Sequence, residues 1–117
     1  MWIFSRTGFV SIVAHKSQPG KLVVRARVRE DLEQFAKLLD DITGEGHAVT
    51  ETPGRDYRFR TTATKDAVAQ ALARQVADLD YTNFKDAVHG DPQRDSTYLD
   101  VWGAMHRLQL DKLRQRH

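Results

Sequence analysis

Cysteine is absent from the 117 residues, so disulfides and thiolate metal sites are excluded and stability must come from packing and hydrogen bonding. Long apolar runs are missing too. The longest, Phe9 to Ala14, is interrupted by Ser11 and is far too short to cross a bilayer. The first residues, Met1-Trp2-Ile3-Phe4-Ser5-Arg6, lack the basic region, apolar stretch and small-residue cleavage site of a secretory signal. These absences argue against export and membrane insertion, and the expectation is a cytoplasmic protein.

Hydrophobic residues make up 40% and charged residues 29%, a balance that suits a packed domain better than a disordered chain. A chain of this length is expected to form one domain, because two halves would each bury too little apolar surface. The formal net charge of +2 is too small to argue for a nucleic-acid partner by its size. Its distribution is more informative.

Trp2 and Phe4, then Val10, Ile12 and Ala14, alternate on either side of Thr7-Gly8, which reads as strand, tight turn, strand. After the turn cluster Ser17-Gln18-Pro19-Gly20, a strand from Lys21 to Val28 places Leu22, Val24, Ala26 and Val28 on one face and Val23, Arg25, Arg27 and Arg29 on the other. The period then lengthens: Leu32, Phe35, Ala36, Leu39 and Ile42 mark a helix closed by Gly44-Glu45-Gly46. His47 to Glu51 and Tyr57 to Ala63 read as a hairpin around Thr52 to Asp56. A second helix, Thr64 to Leu79, is expected to bury Val68, Leu72, Val76 and Leu79.

Aligning Leu22 to Leu39 with Tyr57 to Arg74 equates Arg25 with Arg60, Asp31 with Asp66 and Ala36 with Ala71. The match suggests a repeated ββα unit, although two unrelated amphipathic units would also produce so few identities. Beyond it, Tyr81, Phe84 and Val88 are spaced for a short helix. Asp91-Pro92 opens a long one, with Asp as N-cap and Pro at the first helical position. That helix is expected to run to about Leu113 and to bury Tyr98, Val101, Trp102, Met105 and Leu108, with Lys112, Arg114 and Arg116 at the negative end of its dipole. The fold class that follows is α+β: an antiparallel sheet from two ββα units, residues 1–44 with an extra strand and 47–80, and C-terminal helices over 81–115.

Five blocks stand out: Trp2-Ile3-Phe4, Gly8-Phe9-Val10-Ser11-Ile12-Val13, Val24-Arg25-Ala26-Arg27, Asp80-Tyr81-Thr82-Asn83-Phe84-Lys85 and Tyr98-Leu99-Asp100-Val101-Trp102. Together they resemble a family of small uncharacterised bacterial and phage proteins over nearly the whole length. The resemblance implies a bacterial or phage source and an intracellular setting, and it supplies no activity and no functional residue.

Two surfaces are candidates for function. Arg25, Arg27 and Arg29 on one strand, with Arg58 and Arg60 on its counterpart, would converge if the strands are neighbours, giving a face able to neutralise phosphates, with Phe9 or His15 as a ring for a base. Isolated solvated arginines paired to acids are the ordinary alternative. Phe9 and Val13, together with Tyr81, Asn83 and Lys85, are candidates for docking a protein. Against this, the terminal helix would cover Phe9 and Val13, while Tyr81 and Phe84 would anchor a turn capped by Thr82 or Asn83.

Catalytic signatures are sparse. The histidines His15, His47, His89, His106 and His117 show no HxH or HxxxH spacing for a metal, no nucleophile elbow occurs, and no Walker loop or dinucleotide fingerprint is present. The acid pairs Asp40-Asp41 and Asp78/Asp80 fall at helix C-termini, where negative charge is disfavoured, and are expected to be solvated or to pair with the arginines. The leading expectation is therefore a non-enzymatic interaction protein that binds a protein partner or itself, without cofactor, metal or membrane. A nucleic-acid module using the arginine face is the alternative, and an enzyme comes third.

Overall fold

Alternation becomes a five-stranded sheet in the computed structural model, which describes residues 1–115. The strands are β1 (Trp2–Ser5), β2 (Gly8–Ala14), β3 (Lys21–Ala26), β4 (Thr50–Glu51) and β5 (Phe59–Thr64), ordered β1-β2-β3-β5-β4 with every neighbouring pair antiparallel. Helix α1 (Arg29–Thr43) follows β3 and α2 (Lys65–Ala77) follows β5, and the two helices pack on each other and on β3 and β5. The fold is α+β, as the change of period along the chain predicts. These elements form one compact unit, Met1–Leu79. A second begins at Asp80 and contains α3 (Phe84–Ala87) and α4 (Pro92–Gln115). Arg116 and His117 lie outside the described residues.

One face of the sheet makes the core. Val10, Ile12, Val24, Ala26, Phe59 and Ala63 point toward α1 and α2, meeting Leu32, Phe35, Leu39, Val68 and Ala71. Leu32 and Leu39 are wholly buried, and truncating either to alanine costs about 2–5 kcal/mol. Ala36 and Ala71, the pair equated by the repeat alignment, are both buried. Helix α1 ends at Gly44 in the left-handed conformation, φ 74°, its N–H donating to the Asp40 carbonyl. Thr64 caps α2 by accepting from the Ala67 N–H.

The β1–β2 turn depends on a close approach. Gly8 has φ 145°, and a Cβ there would run into the buried side chain of Asp31, whose carboxylate accepts the Phe9 N–H at 3.0 Å. The glycine is required twice, by backbone angle and by space.

Three expectations need correction. Strand β3 ends at Ala26, so Val28 is exposed at the N-cap position of α1, without a capping side-chain bond, instead of entering the core. Helix α2 buries Ala67, Val68 and Ala71, whereas Val76 is 67% exposed and Leu79 is exposed too. Periodicity identifies the inward face of a helix but not how far along its length the partner reaches. In α4 only Tyr98 is buried, stacked on Phe84 at 5.6 Å, whereas Trp102, Met105 and Leu108 are exposed. Among the described residues of its own unit, this 24-residue helix has only the four-residue α3 as a second helix to pack against, too little to cover the stripe. Its predicted start holds, with Asp91 Oδ1 accepting the Arg94 N–H at 3.1 Å.

Candidate functional site

The face of the sheet turned away from α1 and α2 carries Arg25 and Arg60 of the sequence-predicted residues, with Phe9 and Val13. Successive side chains alternate across a strand, so burying Val24, Ala26, Phe59 and Ala63 sends Val23, Arg25, Arg60 and Thr62 to the other side. The register adds an order that periodicity does not contain. Trp2 faces Ser11, Ser11 faces Arg25, Arg25 faces Arg60 and Arg60 faces Thr50, a single row across all five strands. At roughly 4.8 Å per strand the row is about 19 Å long. Arg25 and Arg60, equated by the repeat alignment, are the two that stand opposite each other at its centre.

One end of this face is aromatic. Phe4 and Phe9, paired across β1 and β2, stack with centroids 4.4 Å apart, and Trp2 meets Phe9 edge-on at 5.9 Å while remaining 67% exposed. Tyr57, only 3% exposed, lies 6.4 Å from Phe9 and is held between two guanidinium groups, with Arg25 4.3 Å and Arg27 4.2 Å from its ring centre. Arg25 Nη2 donates to the buried Ser11 hydroxyl at 2.8 Å. The Arg25 side chain is thereby fixed by neutral partners.

The five arginines divide by what opposes them. Arg27 donates to the Asp56 carboxylate at 3.1 Å and to its carbonyl at 2.8 Å, and the hydrogen bond to Asp56 raises its pKa above the ordinary value. Arg58 Nε reaches Glu51 at 2.7 Å, and Arg29 reaches the other oxygen of the same carboxylate at 3.1 Å. Glu51 is held below the usual carboxylate range, chiefly by the hydrogen bond from Arg58. Arg29 belongs to the first turn of α1, not to a strand, and lies over the core-side ring of Phe59. Among the described residues Arg25 and Arg60 have no carboxylate partner, and the Nε of each is buried without a hydrogen bond. Desolvation lowers the pKa of Arg60, followed by repulsion from Arg55 and Arg25, with Asp56 opposing.

Beyond Arg60 the face opens into a groove of about 460 Å³ lined by Val23, Thr50, Thr61, Thr62, His15 and the 46–48 segment. His15 Nδ1 accepts the N–H groups of Ser17 and Gln18, both at 3.1 Å, which puts the proton of the neutral ring on Nε2. Asp40 Oδ1 takes both the N–H and the Nδ1 of His47, at 2.7 and 2.8 Å. The acid at the end of α1 is thus used to pin the segment that walls the groove; it does not pair with the arginine face. His47 was invisible as a site residue, because no spacing links it to His15; the sheet brings the two segments together.

Of the predicted docking residues, Phe9 and Val13 lie in the first unit and Tyr81, Asn83 and Lys85 in the second. Asn83 caps α3 by accepting the Asp86 N–H at 3.2 Å, Tyr81 packs on Phe84 at 5.9 Å, and the Lys85 ammonium sits 4.9 Å from the Trp102 ring centre. Comparison with protein-family models, curated proteins and solved structures returns no match. Among the described residues no helix is long and apolar enough to cross a membrane, and no group of three or more His, Cys, Asp or Glu could hold a metal ion.

Proposed function

We propose that this protein is a non-enzymatic, cytoplasmic binding module that takes a single strand of nucleic acid along the row Trp2–Ser11–Arg25–Arg60–Thr50. The observation that carries the reading is the Arg25–Arg60 pair, cross-strand neighbours that among the described residues have no carboxylate partner and each keep a buried Nε without a hydrogen bond. Like charges directly opposed across a sheet destabilise it, and an anion laid over the pair would turn that repulsion into attraction. A phosphate backbone supplies such an anion at regular intervals, and the exposed Trp2 ring beside Phe9 offers a stacking surface of the sort that single-strand binders use for bases.

The test is fluorescence anisotropy with a labelled single-stranded oligonucleotide at several salt concentrations. Neutralising two phosphates predicts a slope of log affinity against log salt of about −1.4. Binding with that slope, accompanied by quenching of tryptophan emission, supports the reading; absence of binding at low salt rejects it.

Protein docking, the leading expectation from sequence, is the second reading and draws on a different surface. Leu99, Trp102, Met105 and Leu113 of α4 are all about half exposed, more apolar surface than one helix ordinarily leaves to water. Analytical ultracentrifugation of the purified protein tests self-association through this helix.

A further inference from the structure

We infer that the groove beside Arg60 is a subsite for a terminal phosphate, so that the bound strand is anchored by a phosphorylated end. This rests on the single-strand reading and adds to it which part of the strand lies where.

The argument starts from charge. A phosphate inside a strand is a diester with one negative charge, whereas a terminal phosphomonoester carries close to two at neutral pH and presents three acceptor oxygens. Arg60 lines the groove, no Asp or Glu is among the lining residues, and Arg25, its cross-strand neighbour, adds to the positive potential from outside the groove, where Ser11 and the Tyr57 ring hold its guanidinium. A guanidinium without a carboxylate partner, set in a positive field, favours a doubly charged terminal phosphate over a singly charged diester.

The neutral donors point the same way. The side chains of Thr50 and Thr62 flank Arg60 on the open face, and the backbone N–H groups of Ser17 and Gln18 leave His15 with its proton on the other ring nitrogen. Hydroxyl and imidazole N–H groups around an arginine make a hydrogen-bonding shell for phosphoryl oxygens. The volume, about 460 Å³, falls within the range of sites that hold molecules of nucleotide size. At the other end of the row Trp2 and Phe9 supply rings instead of charge, so a strand would lie with its phosphorylated end at Arg60 and its following bases toward β1.

The experiment compares three single-stranded oligonucleotides of one sequence, carrying a 5′-phosphate, a 3′-phosphate or hydroxyls at both ends, against the full chain and two variants. One phosphorylated form should bind at least tenfold more tightly than the hydroxyl form, and which one does so gives the polarity of the strand. Arg60→Gln should remove the difference. Thr62→Val, on an exposed strand position where folding is not at stake, should reduce it. Equal binding of all three would leave the single-strand reading standing and overturn the subsite. A preference for the phosphorylated end that survives both substitutions would place the phosphate elsewhere and overturn it as well. If none of the three binds, the reading and the subsite fall together.

Discussion

Arg27 and Arg58 stand just outside the strands that hold Arg25 and Arg60, and each of the first pair is held by a carboxylate whereas neither of the second pair is. The satisfied arginines sit nearest the 52–58 hairpin loop, where Asp56 and Glu51 are at hand. The two without a carboxylate occupy opposed positions in the middle of the sheet, and Arg60 lines the groove. A sheet surface of uniform charge would be read as solubility. A surface where local acids neutralise one pair and leave another exposed to its own repulsion is better read as waiting for an external anion.

That contrast can be broken or sharpened. The largest effect is expected at Gly8, because the β1–β2 turn sets the register that puts Ser11 beside Arg25. Gly8→Ala should destabilise the protein by about 2–4 kcal/mol, through its positive φ and the collision with Asp31, measured by urea denaturation. A smaller but more pointed effect is expected for Arg60→Glu. Exchanging a like-charge cross-strand pair for an opposite-charge one should raise stability by about 0.5–1 kcal/mol while abolishing oligonucleotide binding. Gain of stability with loss of binding is the mark of a site kept for its ligand.

The smallest effect is expected at Glu51. Its carboxyl titrates below the ordinary value in the folded protein, chiefly through its hydrogen bond to Arg58, so its stabilising contribution is complete above pH 4.5 and fades as pH falls through the lower folded value. Glu51→Gln should flatten that acid limb of the stability profile. By releasing Arg29 and Arg58 it should also tighten oligonucleotide binding slightly, by no more than about threefold. A circular-dichroism melt series across pH 3–6 reads the first and anisotropy reads the second.

How much of this was legible in the sequence varies with the range of the interaction. Alternation is local and assigns Arg25 and Arg60 to the polar face, and the repeat alignment equates the two residues that the register sets opposite each other. Their lack of a counter-charge was not legible, since it depends on which strands pair and where Asp56 and Glu51 fall. The pattern gives Tyr57 only as the first residue of a strand, whereas its ring lies against the guanidinium groups of Arg25 and Arg27. Alternation continues through Arg29 and puts it on the strand face, but the backbone turns into α1 first. The groove depends on segments separated by α1 and is a property of the assembled sheet.

The most direct test of the central claim measures oligonucleotide affinity for two double variants side by side, Arg25→Gln with Arg60→Gln and Arg27→Gln with Arg58→Gln. Both remove two positive charges, so net charge is controlled. The account predicts that the first loses binding and its salt dependence, while the second stays within about threefold of the unaltered protein. Equal losses in the two variants would mean that the face binds by overall charge alone, and the distinction between satisfied and unsatisfied arginines would be wrong.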